Sequence, residues 1–343
     1  MLERGKNMCT GVKITSKENN VYWGRTQEFN MDLDYSGCVV PRNYEVKDAL
    51  SSFVTKYAVL GVGVKQIPYI IADGVNEKGL CGGTFYFANY FHYSEANEVE
   101  ETGRLALAGA EFVTYALSMY SSVDEVRKNA NKDVAIAFAD RIAGIPQHFV
   151  FQDNTGDSIV VEPSKKGEFV IIDNPVGIFT NAPTFDWHLT NLQNYAGIKQ
   201  VKDEGFDYNG FEVFSPGLGS GLRGLPGDFT PQSRFIRAFY LKALSSEVNN
   251  DKAVELIFHI LNSFDAPKGI MYVSGETDLQ YTQYTSAYDI EKAELFVHTY
   301  DNRTIQTLKL ADFDLDKDEV VHYPLVEKQQ YLDLKKESKE TIF

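Results

Sequence analysis

Near the start of the chain, apolar Val12 and Ile14, then Val21 and Trp23, flank a polar Lys17-Glu18-Asn19-Asn20 stretch. That pattern predicts a β-hairpin beginning directly after Cys9. Apolar runs at 57–64 and 69–72 predict further strands. The segment 79–87, GLCGGTFYF, predicts a strand whose glycines let another backbone approach closely. Helical spacing follows at 105–120, and Ser122-Val123-Asp124-Glu125 is a capping box that opens a second helix. From His148 to Asn181 the chain returns to short alternating runs with polar turns, which predicts an antiparallel meander. Thr230-Pro231 supplies an N-cap and first-turn proline for a helix reaching about Leu244, and 253–261 is amphipathic. Residues 280–310 read as strands again, turning at Asp301-Asn302. Runs of like elements, rather than strict βα alternation, favour an α+β fold with sheets packed against separate helix layers.

The chain has 343 residues, 43% of them hydrophobic, enough for a large core. With no Pro/Ser-rich linker and no internal repeat, one domain over 9–326 is expected, with 1–8 as a leader or misassigned start and 327–343 as a charged tail. The net charge of −15 repels phosphate backbones, so no nucleic-acid partner is expected. No run of about 18 apolar residues predicts a membrane span. Residues 1–8, MLERGKNM, lack the apolar core of a secretory signal. Three cysteines, Cys9, Cys38 and Cys81, fit a reducing compartment better than a disulfide framework, so a cytoplasmic location is expected.

The six histidines are scattered, without HExxH or CxxC, so no metal is expected. Glycine-rich 217–228 lacks the Gly-Lys-Ser/Thr ending of a phosphate cradle and reads as a loop beside an active site. No G-x-S-x-G elbow is present. His188 follows NAPTFDW, and a single histidine among aromatics is usually structural.

Cys9 has two readings. It is a small buried residue at a strand start, or a nucleophile. A thiol needs a base. A free α-amine has a pKa of roughly 7.7–8.0 and can serve, whereas a peptide nitrogen cannot. The nucleophilic reading therefore requires that nothing precede Cys9. A start at Met8, with methionine removal, would expose it. Glu3-Arg4-Gly5-Lys6 back-translates to a purine-rich run resembling a bacterial ribosome-binding site. A self-cleaved propeptide is the competing route. If the leader is retained, the expectation is an inactive relative that binds rather than cleaves.

With Cys9 at the front, MCTG, WGRT, ADGVNEKGL, GIFTNAPTFDWH, GLPGDFTPQSRFIR and LQYTQYTS together resemble the choloylglycine hydrolase family. These N-terminal-nucleophile cysteine amidases include bile salt hydrolases and penicillin V acylases. The resemblance implies a four-layer αββα sandwich, a homotetramer, and hydrolysis of a linear amide in a small acylated molecule without a cofactor. It implies Cys9 as nucleophile, Arg25 beside it, Asn181 as an oxyanion donor and Arg234 as a second active-site arginine. Alone, these three would read as a strand salt bridge, a turn residue and a helix-surface charge. Two departures stand out. The family's aspartate three residues after the arginine is Glu28 here, longer by one methylene, and Asp32 replaces it only if the alignment slips. Where bile salt hydrolases carry Asn, this chain has Tyr86, like penicillin V acylases. The resemblance puts an oxyanion-binding N–H at Tyr86, and its ring suits a flat phenoxyacetyl group. The expected reaction is therefore of penicillin V acylase type, with conjugated bile salts and acyl-homoserine lactones as other substrate classes.

Overall fold

The computed structural model describes residues 8–29, 33–47, 49–139, 145–272 and 279–337. Residues 1–7 of the expected leader, the end of the tail and Asp32 lie outside the described residues.

The first sheet is built on the N-terminal hairpin. β1 (Met8–Thr15) pairs antiparallel with β2 (Val21–Phe29) around the 17–20 turn, as the alternation predicts. The second sheet starts with β3 (Tyr35–Val40), β4 (Val59–Val64), β5 (Ile71–Asn76) and β6 (Leu80–Tyr86). Helices α1 (Phe112–Met119) and α2 (Val123–Asp133) follow. Ser122 caps α2, its hydroxyl accepting from the Glu125 N–H at 3.3 Å.

The meander runs through β7 (Gln147–Asp153), β8 (Ser158–Lys165) and β9 (Glu168–Asp173). The chain then leaves this sheet. β10 (Ile178–Phe179) pairs with β1 in the first sheet and delivers Asn181 beside it. Helices α3 (Phe185–Leu192), α4 (Pro231–Leu244) and α5 (Asn250–Leu261) come next. The last strands are β11 (Leu279–Asp289), β12 (Glu294–Thr299), β13 (Gln306–Lys309) and β14 (Val321–Pro324).

The first sheet runs β10-β1-β2-β11-β12-β13, with Met271–Tyr272 pairing on β11; the second runs β9-β8-β7-β6-β5-β4-β3-β14. The two sheets stack, α4 and α5 cover the outside of the first, and α1 and α2 cover the outside of the second. This is the expected α+β, four-layer αββα sandwich. One apolar cluster joins Trp23, Phe85 and Tyr288 between the sheets with the helices α4 and α5; another gathers around Phe112 under α1 and α2.

Segment 105–120 corrects the sequence reading. Leu105–Leu107 is a strand, paired parallel with Val134–Ile136, and only Phe112–Met119 is α-helix. The buried Glu111 carboxylate accepts from the N–H groups of Ala108 (2.8 Å) and Leu50 (3.1 Å), pinning a tight turn where the spacing suggested a continuous helix. The strand predicted at 69–72 begins at Ile71, two residues past the start of that apolar run. The helix predicted from 253 begins at Asn250.

Gly24 shows how tightly the first sheet is covered. A Cβ there would sit 2.5 Å from Ile257 Cγ2 and 2.6 Å from the Ser286 carbonyl oxygen. Backbone on one side and helix α5 on the other leave no room to shift. Gly24→Ala is expected to cost about 1–3 kcal/mol of stability through overpacking, measured as a lower urea midpoint. An unchanged midpoint would mean that α5 is free to move outward.

Candidate active site

Strand pairing dictates what surrounds Cys9. Cys9 lies opposite Gln27, and Gly11 opposite Arg25. Because side chains alternate along a strand, Cys9, Arg25 and Gln27 share the face turned to the second sheet. Thr10, Thr26 and Glu28 share the other face, turned to helix α4. Gly11 leaves space over which Phe85 packs; a Cβ there would lie 3.0 Å from that ring. The Arg25 guanidinium carbon sits 4.4 Å from the Phe85 centroid.

Arg25 is fully buried. Its Nη2 donates to Cys9 Sγ at 2.7 Å and also to Gln27 Oε1, while Nη1 donates to the Thr84 carbonyl at 2.5 Å. Among the described residues its carboxylate partner is Asp73, 3.9 Å away. Asp73 is itself buried and accepts from the hydroxyls of Tyr284, Ser286 and Tyr288. A cation beside a thiol lowers its pKa, but here that effect is outweighed. Burial pushes the Cys9 thiol above its ordinary value, and the Arg25 charge opposes that shift without overcoming it. A thiol in this setting needs a proton acceptor within reach.

The second group of contacts forms around the Cys9 backbone. The Cys9 N–H donates to Asn181 Oδ1 at 2.8 Å. Asn181 Nδ2 donates to the Tyr86 carbonyl at 3.0 Å, tying the turn to the second sheet. Arg234, on α4, donates from Nη2 to Asn181 Oδ1 (2.7 Å), and from Nη1 to Thr10 Oγ1 (2.8 Å) and to the Cys9 carbonyl. Its Nε donates to the Phe229 carbonyl at 2.9 Å.

Glu28 lies on the α4 side of the strand pair, across the backbone from the thiol. Its carboxylate accepts from Thr26 Oγ1 at 3.1 Å and Thr282 Oγ1 at 2.8 Å. Burial pushes its pKa up to about 7, against the opposing Arg234 charge and the two hydroxyls.

Two histidines hold the Asn181 turn. His188 Nε2 donates to the Asn181 carbonyl at 2.8 Å and stacks on Phe235 at 4.8 Å; burial pulls its pKa down to about 4. His148 Nε2 donates to the preceding carbonyl, Thr180, at 3.1 Å. His188 is thus structural, as its aromatic setting suggested.

Two cavities meet at Tyr86. One, of about 230 Å³, is bordered by Cys9, Gln27 and an apolar wall including Phe29, Ile67, Ile70, Ile71 and Phe85. The other, of about 510 Å³, is bordered by Met8, Asn181 and the Asp228–Pro231 segment. The glycine-rich loop therefore ends beside the site, as expected. Its Asp228 carboxylate accepts from the Thr230 N–H at 2.8 Å and the Ser233 hydroxyl at 2.7 Å, fixing the start of α4. Among the described residues no group of His, Cys, Asp and Glu is placed to hold a metal.

Five of the six predicted residues thus fall within two connected sets of contacts, and Glu28 lies next to them on the α4 side of the strand pair, bonded to Thr26 and Thr282. Sequence reasoning passed over Gln27, Asp73, Thr26, Thr84 and Thr282. For Gln27 and Thr26 the signal was available, since period two from Cys9 and Arg25 assigns their faces. Asp73 and Thr282 come from distant strands, and only the sheet order brings them in.

The sequence profile of linear amide C–N hydrolases, choloylglycine hydrolase family, matches residues 9–323. The chain belongs to that family. It is accordingly a linear amide C–N hydrolase. The chain is 37% identical to a bile salt hydrolase/transferase of Clostridium perfringens over 326 residues, 92% of this chain and 96% of that protein. A crystal structure of a mutant conjugated bile acid hydrolase from the same organism superposes with a TM-score of 0.86 at 34% identity, covering 95% of this chain and 99% of the other. A penicillin V acylase of Pectobacterium atrosepticum is 27% identical over 57% of this chain and half of its own length. These likenesses favour the bile salt branch over the acylase branch that Tyr86 suggested.

Glu28 gives this family member a pH signature. Its carboxyl takes up a proton at about 7 in the fold against an ordinary 4.5. The folded state therefore binds more protons between those values, and stability falls as pH rises from about 4.5 to about 7. The unfolding free energy of the wild type minus that of Glu28→Gln is expected to fall by about 2–3 kcal/mol from pH 5 to pH 8. Urea denaturation at both pH values measures it; a constant difference would mean that Glu28 is ionised throughout.

Proposed function

We propose that this chain hydrolyses the amide of conjugated bile salts, with Cys9 as nucleophile. The observation that carries the reading is the apolar cavity at Cys9, which suits a rigid hydrocarbon acyl group, taken with the bile salt hydrolase likeness along nearly the whole chain. In this reading the acyl half occupies that cavity and the amine half occupies the cavity beyond Tyr86.

The mechanism needs a free α-amine on Cys9, so we propose that residues 1–8 are absent from the working enzyme. Loss of Met8, which borders the second cavity, would also open the amine side. The α-amine takes the thiol proton, and Arg25 stabilises the thiolate from 2.7 Å. Sulfur attacks the carbonyl carbon and the oxygen becomes an oxyanion. Asn181 Nδ2 and the Tyr86 N–H are the proposed donors to it. The C–N bond then breaks as the α-ammonium protonates the leaving nitrogen. Water, deprotonated by the same amine, hydrolyses the thioester and releases the acid. Arg234 and Glu28 act on the backbone side of Cys9, orienting its nitrogen through Asn181 and setting the charge around it.

Tyr86 favours a second reading, a penicillin V acylase, because its ring borders both cavities and suits a flat aryl group. Parallel assays of glycocholate and penicillin V with protein whose N-terminus is Cys9 by intact mass separate the two. Preference for glycocholate is expected. Preference for penicillin V would overturn the first reading in favour of the second. Cys9→Ala is expected to abolish hydrolysis, and full activity in it would end the mechanism. Asn181→Ala is expected to lower kcat by about 10²–10³-fold, corresponding to about 3–4 kcal/mol. A change confined to KM would remove Asn181 from the oxyanion site.

A further inference from the structure

The cavity at Cys9 is mostly apolar, and two of the polar residues that border it, Gln147 and Thr84, have no part in the mechanism. Gln147 is 8% exposed, and its Oε1 is buried without a hydrogen-bond partner among the described residues. Thr84 Oγ1 is likewise buried and unpartnered. Both residues border the cavity. Gln147 pairs with Tyr86, and Thr84 pairs with Phe149, so Gln147 and Thr84 are diagonal neighbours on one face of the β6–β7 pair. Such neighbours lie within about 7–8 Å, close enough for one small group to meet both.

The Tyr93 hydroxyl does not satisfy the Gln147 acceptor: it donates to the Ile145 carbonyl at 3.1 Å and accepts from the Gln147 N–H at 2.9 Å. Gly109 leaves the amide head uncrowded, since a Cβ there would come within 2.7 Å of Oε1. A buried acceptor without a partner is costly, and natural folds rarely keep one without a use.

Building on the proposed acyl site, we infer that Gln147 and Thr84 read a hydroxyl group on the acyl half of the substrate. With both side chains turned into the cavity as substrate binds, the hydroxyl donates to Gln147 Oε1 and accepts from Thr84 Oγ1–H. Gln147 lies directly across from Tyr86, which borders the nucleophile's cavity, so the group read is the hydroxyl nearest the scissile carbonyl. On a bile acid skeleton that is the ring hydroxyl closest to the side chain.

Four glycine conjugates test this. Glycocholate and glycochenodeoxycholate differ only in that hydroxyl, as do glycodeoxycholate and glycolithocholate. The wild type is expected to prefer the hydroxylated member of each pair by about tenfold in kcat/KM. Gln147→Leu is expected to bring that ratio within about twofold of unity while leaving the deoxy members no slower. Thr84→Val gives an independent version should the leucine variant fold poorly. A wild-type ratio near one, or a preference that survives both substitutions, overturns the inference while leaving bile salt hydrolysis intact. Water filling the patch in the substrate complex would give that result. Failure to hydrolyse all four conjugates overturns the proposed function and the inference with it.

Discussion

One guanidinium group joins three separate parts of the chain around Cys9. Arg234 reaches from a helix on the outside of the first sheet to the carbonyl of Cys9, the hydroxyl of Thr10, the side-chain oxygen of Asn181 and the carbonyl of Phe229. Those acceptors belong to the opening strand, a turn entering from the other sheet, and the loop that closes the second cavity. A planar cation with forked donors can satisfy several fixed acceptors at once, which a lysine could not. Its burial depresses its pKa, and the nearby Glu28 opposes that shift. Remove the guanidinium and Asn181 Oδ1 keeps only the Cys9 N–H among the partners described above. The helix start, the turn and the strand would each keep their own hydrogen bonds but lose the one group that bonds to all three.

The elements were legible in the sequence wherever a local pattern decides the outcome. Val12 and Ile14 against Val21 and Trp23 predict the hairpin, and Thr230-Pro231 marks the beginning of α4. The short strand at Leu105–Leu107 was hidden because its partner, Val134–Ile136, lies beyond two helices, and because Glu111 makes its turn from contacts to Leu50 as well as Ala108. The site divides the same way. Cys9 and the family motifs led to Arg25, Asn181 and Arg234. Asp73 was out of reach, since its place behind Arg25 depends on strands from both sheets. The weaker effect of Arg25 on the thiol has a similar cause: the motif shows the cation but not how completely the pair is buried.

Tyr86 shows how a single marker residue can pull against the rest of a chain. Its ring and its position resemble the acylase branch, while identity along nearly the full length favours bile salt hydrolases. The cavity accommodates both facts. Tyr86 borders it at one end, and aliphatic residues such as Ile67, Ile70 and Ile71 form much of the remainder. An aromatic boundary near the carbonyl does not require an aromatic acyl group when the rest of the wall is aliphatic.

The two sheets contribute different things. The first sheet supplies Cys9, Arg25, Gln27 and Glu28, while most of the cavity wall facing Cys9 comes from the second sheet and its connecting loops. Wall residues away from Arg25 and Asn181, such as Ile67 and Ile70, can therefore change without disturbing the atoms around the sulfur. A lineage carrying this architecture is free to drift from one acyl group to another by small steps in the second sheet, each variant remaining a competent catalyst. One fold can then come to serve several chemically unlike amides without passing through an inactive ancestor.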